Sequence, residues 1–144
     1  AKLLCETIEK IEAGTAIREK QDDLKSTYAA KIENTDCIIS FDDTAANIYN
    51  RIRGLSPIPL AAAEHNGRAL KLVGAELIET EMEHKNPGEV LKCDAQANRI
   101  IVACRKGSVA ITRLLPEGKG RMTAADYING RKISAGDFFG KYEI

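Results

Sequence analysis

The sequence lacks any long apolar run, and it lacks a net charge. Its longest apolar stretches are short ones such as Ile100–Cys104, whereas a helix needs about 20 apolar residues to cross a bilayer. Its 21 Lys and Arg residues balance 21 Asp and Glu residues, which excludes a polycation that coats nucleic acid through its total charge. With 144 residues, 44% hydrophobic and 29% charged, we expect one soluble globular domain in the cytoplasm, with no membrane partner.

Residues suited to metal binding or catalysis are also scarce. None of the four cysteines forms a Cys-x-x-Cys pair, and neither of the two histidines has a Cys or His at metal-ligand spacing. A structural zinc site needs four ligands, usually as two close pairs, so we predict no metal site and free thiols in a reducing cytosol. His65 is beside a hairpin tip and His84 is in an acidic segment, and neither lies beside a carboxylate and a nucleophile in a segment that we expect to be buried. We therefore predict surface histidines and no catalytic residue.

The first 36 residues divide into an apolar helix and a polar stretch. Leu4, Ile8 and Ile11 recur at helical spacing, which predicts a helix with one apolar face. Residues 17–36 are polar and have no sustained period, which is typical of an extended linker. The sequence has no methionine before Met82. We expect a piece of a longer protein, and an engineered start or a processed terminus is the alternative.

Short strands predominate after residue 37. Asn66-Gly67 is a strong hairpin signal between predicted strands 60–65 and 68–79, followed by a predicted acidic loop over 79–85. Further strands are predicted over residues 89–93, 99–104 and 108–115. A helix capped at Asp42–Thr44 and ending before Gly54 precedes the strands, and the Thr123–Asp126 capping box opens a short helix after them.

This order of elements predicts a mainly β (α+β) fold. We expect a small open antiparallel β-barrel, OB-like, with flanking short helices, plus the N-terminal helix and the extended linker. No β-α-β repeat is visible, which argues against a doubly wound parallel sheet. The predicted boundaries are residues 1–16 for the helix, 17–36 for the linker and 37–144 for the barrel.

Charge is unevenly distributed along the neutral chain. Residues 89–144 contain 10 basic and 6 acidic residues, whereas acidic residues outnumber basic ones before them. The excess lies in 99–132, whose basic residues are Arg99, Arg105, Lys106, Arg113, Lys119, Arg121, Arg131 and Lys132. We predict that these side chains form a phosphate-contacting surface, and an ordinary solvated face is the alternative.

The scarcity of aromatic residues narrows the kind of nucleic acid. Residues 60–115 contain no Phe, Tyr or Trp, whereas proteins that bind single strands stack bases on aromatic side chains. We therefore expect a structured, duplex-like RNA, bound through its backbone and shape.

Several short motifs follow one another in a recognisable order. They are Thr27–Ile32, Ile52–Pro59, Pro87–Leu91, Leu115–Met122 and Asp126–Gly130, preceded by the helix Leu4–Gly14. Together they resemble the methionyl-tRNA formyltransferase family over nearly the whole chain, although each is weak alone. The sequence departs from the family pattern at Phe41 (usually Trp), Gly54 (Ala), Leu55 (Phe) and Leu115 (Gln).

The resemblance implies a place within a larger enzyme. In that family an N-terminal Rossmann-like domain binds 10-formyltetrahydrofolate and carries the catalytic Asn, His and Asp, and no segment here matches it. The resemblance implies that residues 1–16 are the last helix of that missing catalytic domain, that 17–36 are the linker, and that 37–144 are the C-terminal barrel. The barrel is expected to help bind initiator tRNA through basic residues during translation initiation. The fragment itself is expected to be a catalytically inactive monomer without a bound cofactor.

Two alternatives remain open at this point. The chain can be the C-terminal barrel of a related formyltransferase, one acting on UDP-amino sugars or a formyltetrahydrofolate hydrolase. It can also be a purely structural domain that braces a catalytic half without touching RNA. Neutralising Arg105, Lys106 and Arg113 should weaken tRNA binding only if the domain contacts RNA.

Overall fold

The computed structural model describes residues 2–142, which form two compact units meeting at Lys31 and Ile32 in the sequence. The first unit contains helix α1 (Lys2–Glu12) and a short 3-10 turn at Asp23–Lys25. Helix α1 is followed by a glycine in the left-handed region, Gly14, whose φ is +67°. The Gly14 N–H donates to Ile11 O, and the Thr15 N–H donates to Lys10 O at 2.9 Å. These bonds satisfy carbonyls that a helix end otherwise leaves without partners.

The second unit is a curled antiparallel sheet with two short helices. Helix α2 spans Ala45–Leu55 and helix α3 spans Ala124–Asn129. The strands are β1 (Ala61–His65), β2 (Arg68–Glu83), β3 (Val90–Asp94), β4 (Arg99–Ala103), β5 (Lys106–Pro116), β6 (Met122–Thr123) and β7 (Phe139–Gly140). Their order is β3-β4-β5-β2-β1-β7, with β6 paired to β5, and every ladder is antiparallel.

The predicted hairpin joins β1 and β2. His65 pairs with Arg68 across it, and the two turn residues Asn66 and Gly67 have φ of +53° and +73°. Positive φ at both central residues is what a two-residue type I′ turn requires, and Asn-Gly adopts it at little cost. This local signal sets the register in which β1 presents its side chains to the core.

The segment before and including β7 closes the sheet into a barrel. β7 pairs with β1, while the Phe139 N–H donates to Gly88 O and the Val90 N–H donates to Asp137 O, both at 2.8 Å. The backbone ahead of β3 is therefore bonded to the same segment that borders β1. These bonds join the two ends of the curled sheet, and the predicted small open antiparallel barrel with flanking helices is confirmed.

The core lies inside this curl, beneath α2. Ile48 and Ile52 of α2 are buried with strand residues such as Leu72 and Ile111. Thr44 caps the start of helix α2, because its hydroxyl oxygen accepts the Asn47 N–H at 3.3 Å. Burial of this apolar stripe supplies the main stabilisation of the helix, because helices of this length are marginal in isolation.

Two predicted boundaries are wrong. The acidic segment 79–85 is largely strand, because β2 continues to Glu83 and pairs Glu79 with Ser108 and Glu83 with Lys106. Helix α2 includes Gly54 and ends one residue later, where Leu60 N donates to Leu55 O at 2.9 Å. In both cases hydrogen bonding to the rest of the fold overrides a weak local preference. No helix within residues 2–142 is long and apolar enough to span a membrane.

Candidate nucleic-acid interface

Three of the predicted phosphate-binding residues are already ion-paired with carboxylates. Arg99 Nη2 lies 2.6 Å from Glu76 Oε2, and Lys106 Nζ lies 2.9 Å from Glu81 Oε2. Arg105 donates to Asp42 twice, from Nε at 2.7 Å and from Nη2 at 2.6 Å. The carboxylates come from β2 and from the segment ahead of α2, so only the fold brings these charges together.

These pairs hold both partners in their charged forms. The bond from Arg105 lowers the pKa of Asp42 and raises the pKa of the Arg105 guanidinium. The bond between Lys106 and Glu81 likewise raises the pKa of the lysine and lowers the pKa of the glutamate. A phosphate that approached these cations would compete with a carboxylate for each one, so they attract it less than unpaired cations do.

Two further predicted residues lie against the backbone around β2 and α2. Arg121 Nη2 donates to Pro57 O at 3.2 Å. The Arg113 side chain lies over Gly74: a Cβ added to Gly74 would be 3.3 Å from Arg113 Nε. Neither forms an ion pair within residues 2–142, so both retain a charge available to a ligand.

The remaining three predicted residues line one cleft in the barrel unit. Lys119, from the loop after β5, faces this space together with Arg131 and Lys132, which follow α3. The cleft has a volume of about 400 Å³, which is within the range of small-ligand sites. We call it the basic cleft; its other lining residues are His65, Asn66, Arg68, Ala69, Leu70, Pro116, Glu117 and Tyr127.

Arg68 adds a fourth cation that sequence reasoning missed. It begins β2, in a region of the chain where acidic residues outnumber basic ones. The position of Arg68 directly after Asn66-Gly67 is the sequence signal that could have identified it. The start of β2 lies near the chain that follows β5, because β1 pairs with β2 and Leu70 pairs with Pro116. Within residues 2–142, neither Arg68 nor Lys119 forms an ion pair.

The residues after α3 are held in place by local bonds. Arg131 has a φ of +52°, and its N–H donates to Ile128 O at 2.8 Å. Lys132 Nζ lies 5.8 Å from the centre of the Tyr127 ring, close enough for a cation–π interaction. The backbone bond thus fixes the turn at Arg131, and the Tyr127 ring holds the Lys132 charge at the rim of the basic cleft.

A buried histidine, His65, forms the floor of the cleft. The prediction of a surface position for His65 is therefore wrong. His65 is 4% exposed, because β1 directs it to the same side as Ala61 and Ala63, against the ring of Phe139 at 5.3 Å. Its Nδ1 lies 3.0 Å from the Tyr127 hydroxyl and its Nε2 lies 3.5 Å from Asp137 Oδ2.

Burial also acts on the partner of this histidine. Burial raises the pKa of the Tyr127 phenol, and the nearby Asp137 carboxylate adds to the rise. Tyr127 therefore stays protonated and available to hydrogen-bond at neutral pH. The second histidine, His84, is half-buried, and its backbone N–H donates to Arg105 O at 3.1 Å.

The described part of the chain contains no group of three or more His, Cys, Asp or Glu residues arranged to hold a metal ion. Its cysteines are free: Cys5 is exposed, Cys93 is half-buried, and Cys37 and Cys104 are buried. Burial raises the pKa of the Cys104 thiol to about 12, so this side chain behaves as a small apolar group.

Comparison with known proteins identifies relatives of this chain. The family model "Formyl transferase, C-terminal domain" matches residues 31–132. A methionyl-tRNA formyltransferase from Macrococcus caseolyticus is 38% identical over 130 residues, covering 90% of this chain and 40% of the relative. The methionyl-tRNA formyltransferase of Bacillus subtilis is 37% identical over 141 residues, covering 97% of this chain and 44% of the relative. The chain thus spans less than half the length of these curated relatives, and it matches their C-terminal part.

Solved structures share the fold. HypX from Aquifex aeolicus in complex with tetrahydrofolic acid superimposes with a TM-score of 0.59 at 20% identity, over 99% of this chain and 26% of HypX. A HypX variant gives a TM-score of 0.60 at 17% identity, over 93% of this chain and 23% of the variant. At this level of identity the likeness concerns the fold alone.

Proposed function

The chain belongs to the formyl transferase C-terminal domain family, and from this premise we propose that it is the C-terminal part of a methionyl-tRNA formyltransferase. In this role it helps bind initiator Met-tRNA while a catalytic domain transfers the formyl group from 10-formyltetrahydrofolate. The identity of 33–38% to methionyl-tRNA formyltransferases supports this choice over the UDP-amino sugar and hydrolase alternatives. The chain takes part in translation initiation and works in the cytoplasm as a monomer.

The chemistry of formyl transfer is assigned to the part of the enzyme that this chain does not match. No segment here resembles the folate-binding domain with its Asn, His and Asp, so we assign no catalytic and no cofactor-binding residue to this chain. Residues 1–16 are proposed as the last helix of the catalytic domain, 17–36 as the linker and 37–144 as the tRNA-binding barrel.

The observation that carries the proposal is the convergence of Lys119, Arg131 and Lys132 on the basic cleft. Arg113 and Arg121 contribute further unpaired charge, whereas the ion-paired Arg99, Arg105 and Lys106 contribute less. A net charge of zero for the whole chain is therefore compatible with a local positive field, around these unpaired cations, that attracts phosphates.

The test compares two triple variants of equal charge. In the cleft variant Lys119, Arg131 and Lys132 become Gln; in the paired variant Arg99, Arg105 and Lys106 become Gln. Fluorescence anisotropy measures the affinity of each protein for initiator tRNA at several salt concentrations. Because each phosphate contact releases counterions, the slope of log K against log salt should fall by about 2 in the cleft variant.

The paired variant is the control, because its cations are already neutralised by carboxylates. We expect its salt slope to change by less than half as much. An unchanged slope in the cleft variant would contradict the proposal and would favour a domain that only braces the catalytic half. Circular dichroism of both variants verifies that the fold is retained, since all six side chains are exposed or half-buried.

A further inference from the structure

We propose that the basic cleft is a binding pocket for a single phosphate group of RNA, with Arg68 as one of its ligands. The inference rests on the proposed function in one respect, that the phosphate belongs to tRNA. It goes further in assigning a defined pocket, a fourth cationic residue and a floor, where the charge pattern alone predicts a diffuse surface.

The first argument is electrostatic. Arg68, Lys119, Arg131 and Lys132 line one space of about 400 Å³, and among the described residues that line it Glu117 carries the one carboxylate. Like charges that share a small space repel one another. Arg99, Arg105 and Lys106, by contrast, each have a carboxylate partner. An anion from outside the chain is the partner that this cluster lacks.

The second argument is that the cations come from three separate segments of the chain. Arg68 begins β2, Lys119 lies in the loop after β5, and Arg131 and Lys132 follow α3. Long-range packing places these segments together, the backbone N–H of Arg131 donates to Ile128 O, and the Lys132 ammonium lies over the Tyr127 ring. An ammonium group that is positioned in advance binds phosphate more strongly than a mobile one, because less side-chain entropy is lost on binding.

The third argument concerns the polar floor. His65 is buried beneath the cleft, and Asn66 Nδ2 lies 3.4 Å from its Nε2. Asp137 Oδ2 lies 3.5 Å from the same nitrogen. The imidazole and the Tyr127 hydroxyl give the pocket hydrogen-bonding groups within a fixed frame. Because His65 lines the cleft, we expect an anion bound there to change the chemical environment of its ring.

The experiment uses the histidine ring signals of the full chain in proton NMR. The sequence contains two histidines, His65 in the cleft and His84 outside it, so one spectrum contains both the probe and its internal control. Ribose 5-phosphate is titrated at a constant pH of about 8, well above the second pKa of a phosphate monoester at about 6, and ribose serves as the uncharged control ligand. We expect ribose 5-phosphate to shift the His65 signals in a saturable way, to leave His84 unchanged, and ribose to shift neither.

Variants test the role of Arg68. Arg68→Gln and Lys119→Gln should each weaken ribose 5-phosphate binding by about tenfold, the usual effect of losing one charge-assisted hydrogen bond. Arg53→Gln is the matched control, because Arg53 is an exposed cation on α2 that bonds Asn50 and does not line the cleft. Equal affinities for all three variants, or equal shifts of His65 and His84, would overturn the pocket.

Two RNA ligands distinguish a terminal 5′-phosphate from a backbone phosphodiester as the bound group. A tRNA carrying its 5′-phosphate and the same tRNA after phosphatase treatment are compared for the His65 shift. A shift with both indicates a backbone phosphodiester, and a shift only with the first indicates the terminal phosphate; either outcome supports the pocket.

The two proposals fail in different ways. If tRNA binds with a salt-dependent affinity while neither tRNA nor ribose 5-phosphate moves His65, the pocket is wrong and the proposed function stands. If ribose 5-phosphate moves His65 while tRNA does not bind, the pocket stands and the proposed function is wrong.

Discussion

At the scale of single residues, Gly88 shows how closely the barrel is packed where it closes. Its φ is +102°, a conformation that L side chains rarely adopt, and an added Cβ would collide with the carbonyl oxygen of Phe139. The same residue bonds through its own carbonyl to the Phe139 N–H at 2.8 Å. Position 88 therefore requires glycine for two reasons, the backbone angle and the close approach of β7.

Replacing this glycine should destabilise the barrel. We expect Gly88→Ala to lower the free energy of unfolding in urea by at least about 2 kcal/mol, because strained φ and a backbone clash add. Gly120→Ala is the matched control, since an added Cβ there meets nothing within 4 Å and its φ is not positive. Equal stabilities for the two variants would show that β7 does not approach Gly88 as described.

At the scale of secondary-structure elements, α3 links a local capping signal to the basic cleft. The Thr123 hydroxyl accepts the Asp126 N–H at 3.1 Å, and Asp126 Oδ2 accepts the Thr123 N–H at 3.2 Å. These are the reciprocal bonds that the sequence predicts, and they start a helix of six residues. The helix carries Tyr127 and leads into Arg131 and Lys132, so its start affects where these charges lie.

Removing the cap should cost stability in a pH-dependent way. We expect Thr123→Ala to lower the free energy of unfolding by about 1 kcal/mol near neutral pH, and Thr80→Ala, an exposed threonine in β2, to have little effect. The Thr123 hydrogen bonds lower the pKa of Asp126 from 3.8. A carboxyl with a lowered pKa stabilises the fold above its unfolded value and loses this effect as pH falls through its folded value.

The difference between wild type and Thr123→Ala should therefore shrink as the pH falls below 3.8. Urea unfolding at a series of pH values measures it. A difference that stays constant down to the lowest pH would show that the carboxylate of Asp126 contributes nothing to the cap.

At the scale of the whole barrel unit, β7 and the residues before it connect distant parts of the sequence. Phe139 is buried and stacks on Phe41 with ring centres 5.8 Å apart, while its backbone pairs with β1 and with Gly88. Its neighbour Phe138 is half-exposed. One short strand thus holds the core, the closing bonds and the floor of the cleft in a single arrangement.

The two adjacent phenylalanines provide a matched comparison. We expect Phe139→Ala to lower the free energy of unfolding by about 3–5 kcal/mol, because a large buried ring leaves a cavity. Phe138→Ala should cost about 1 kcal/mol or less, since this residue is half-exposed. Chemical unfolding measures both, and similar losses for the two variants would contradict the described burial.

Local signals in the sequence determined much of this fold. Asn66-Gly67 predicted the β1–β2 hairpin, Thr44 and Thr123 predicted the starts of α2 and α3, and strand spacing predicted the antiparallel barrel. These features follow from the sequence because each depends on residues within a few positions of one another.

Only the tertiary structure decided the partners of the charged side chains. The sequence grouped eight cations by their numbers, whereas the fold pairs Arg105 with Asp42 and gathers Arg68 with Lys119 and Arg131 around the cleft. It also buries His65, which the sequence alone indicated to be exposed. Electrostatic and packing interactions depend on distance in space, and that distance is set by strand pairing between segments far apart in the chain.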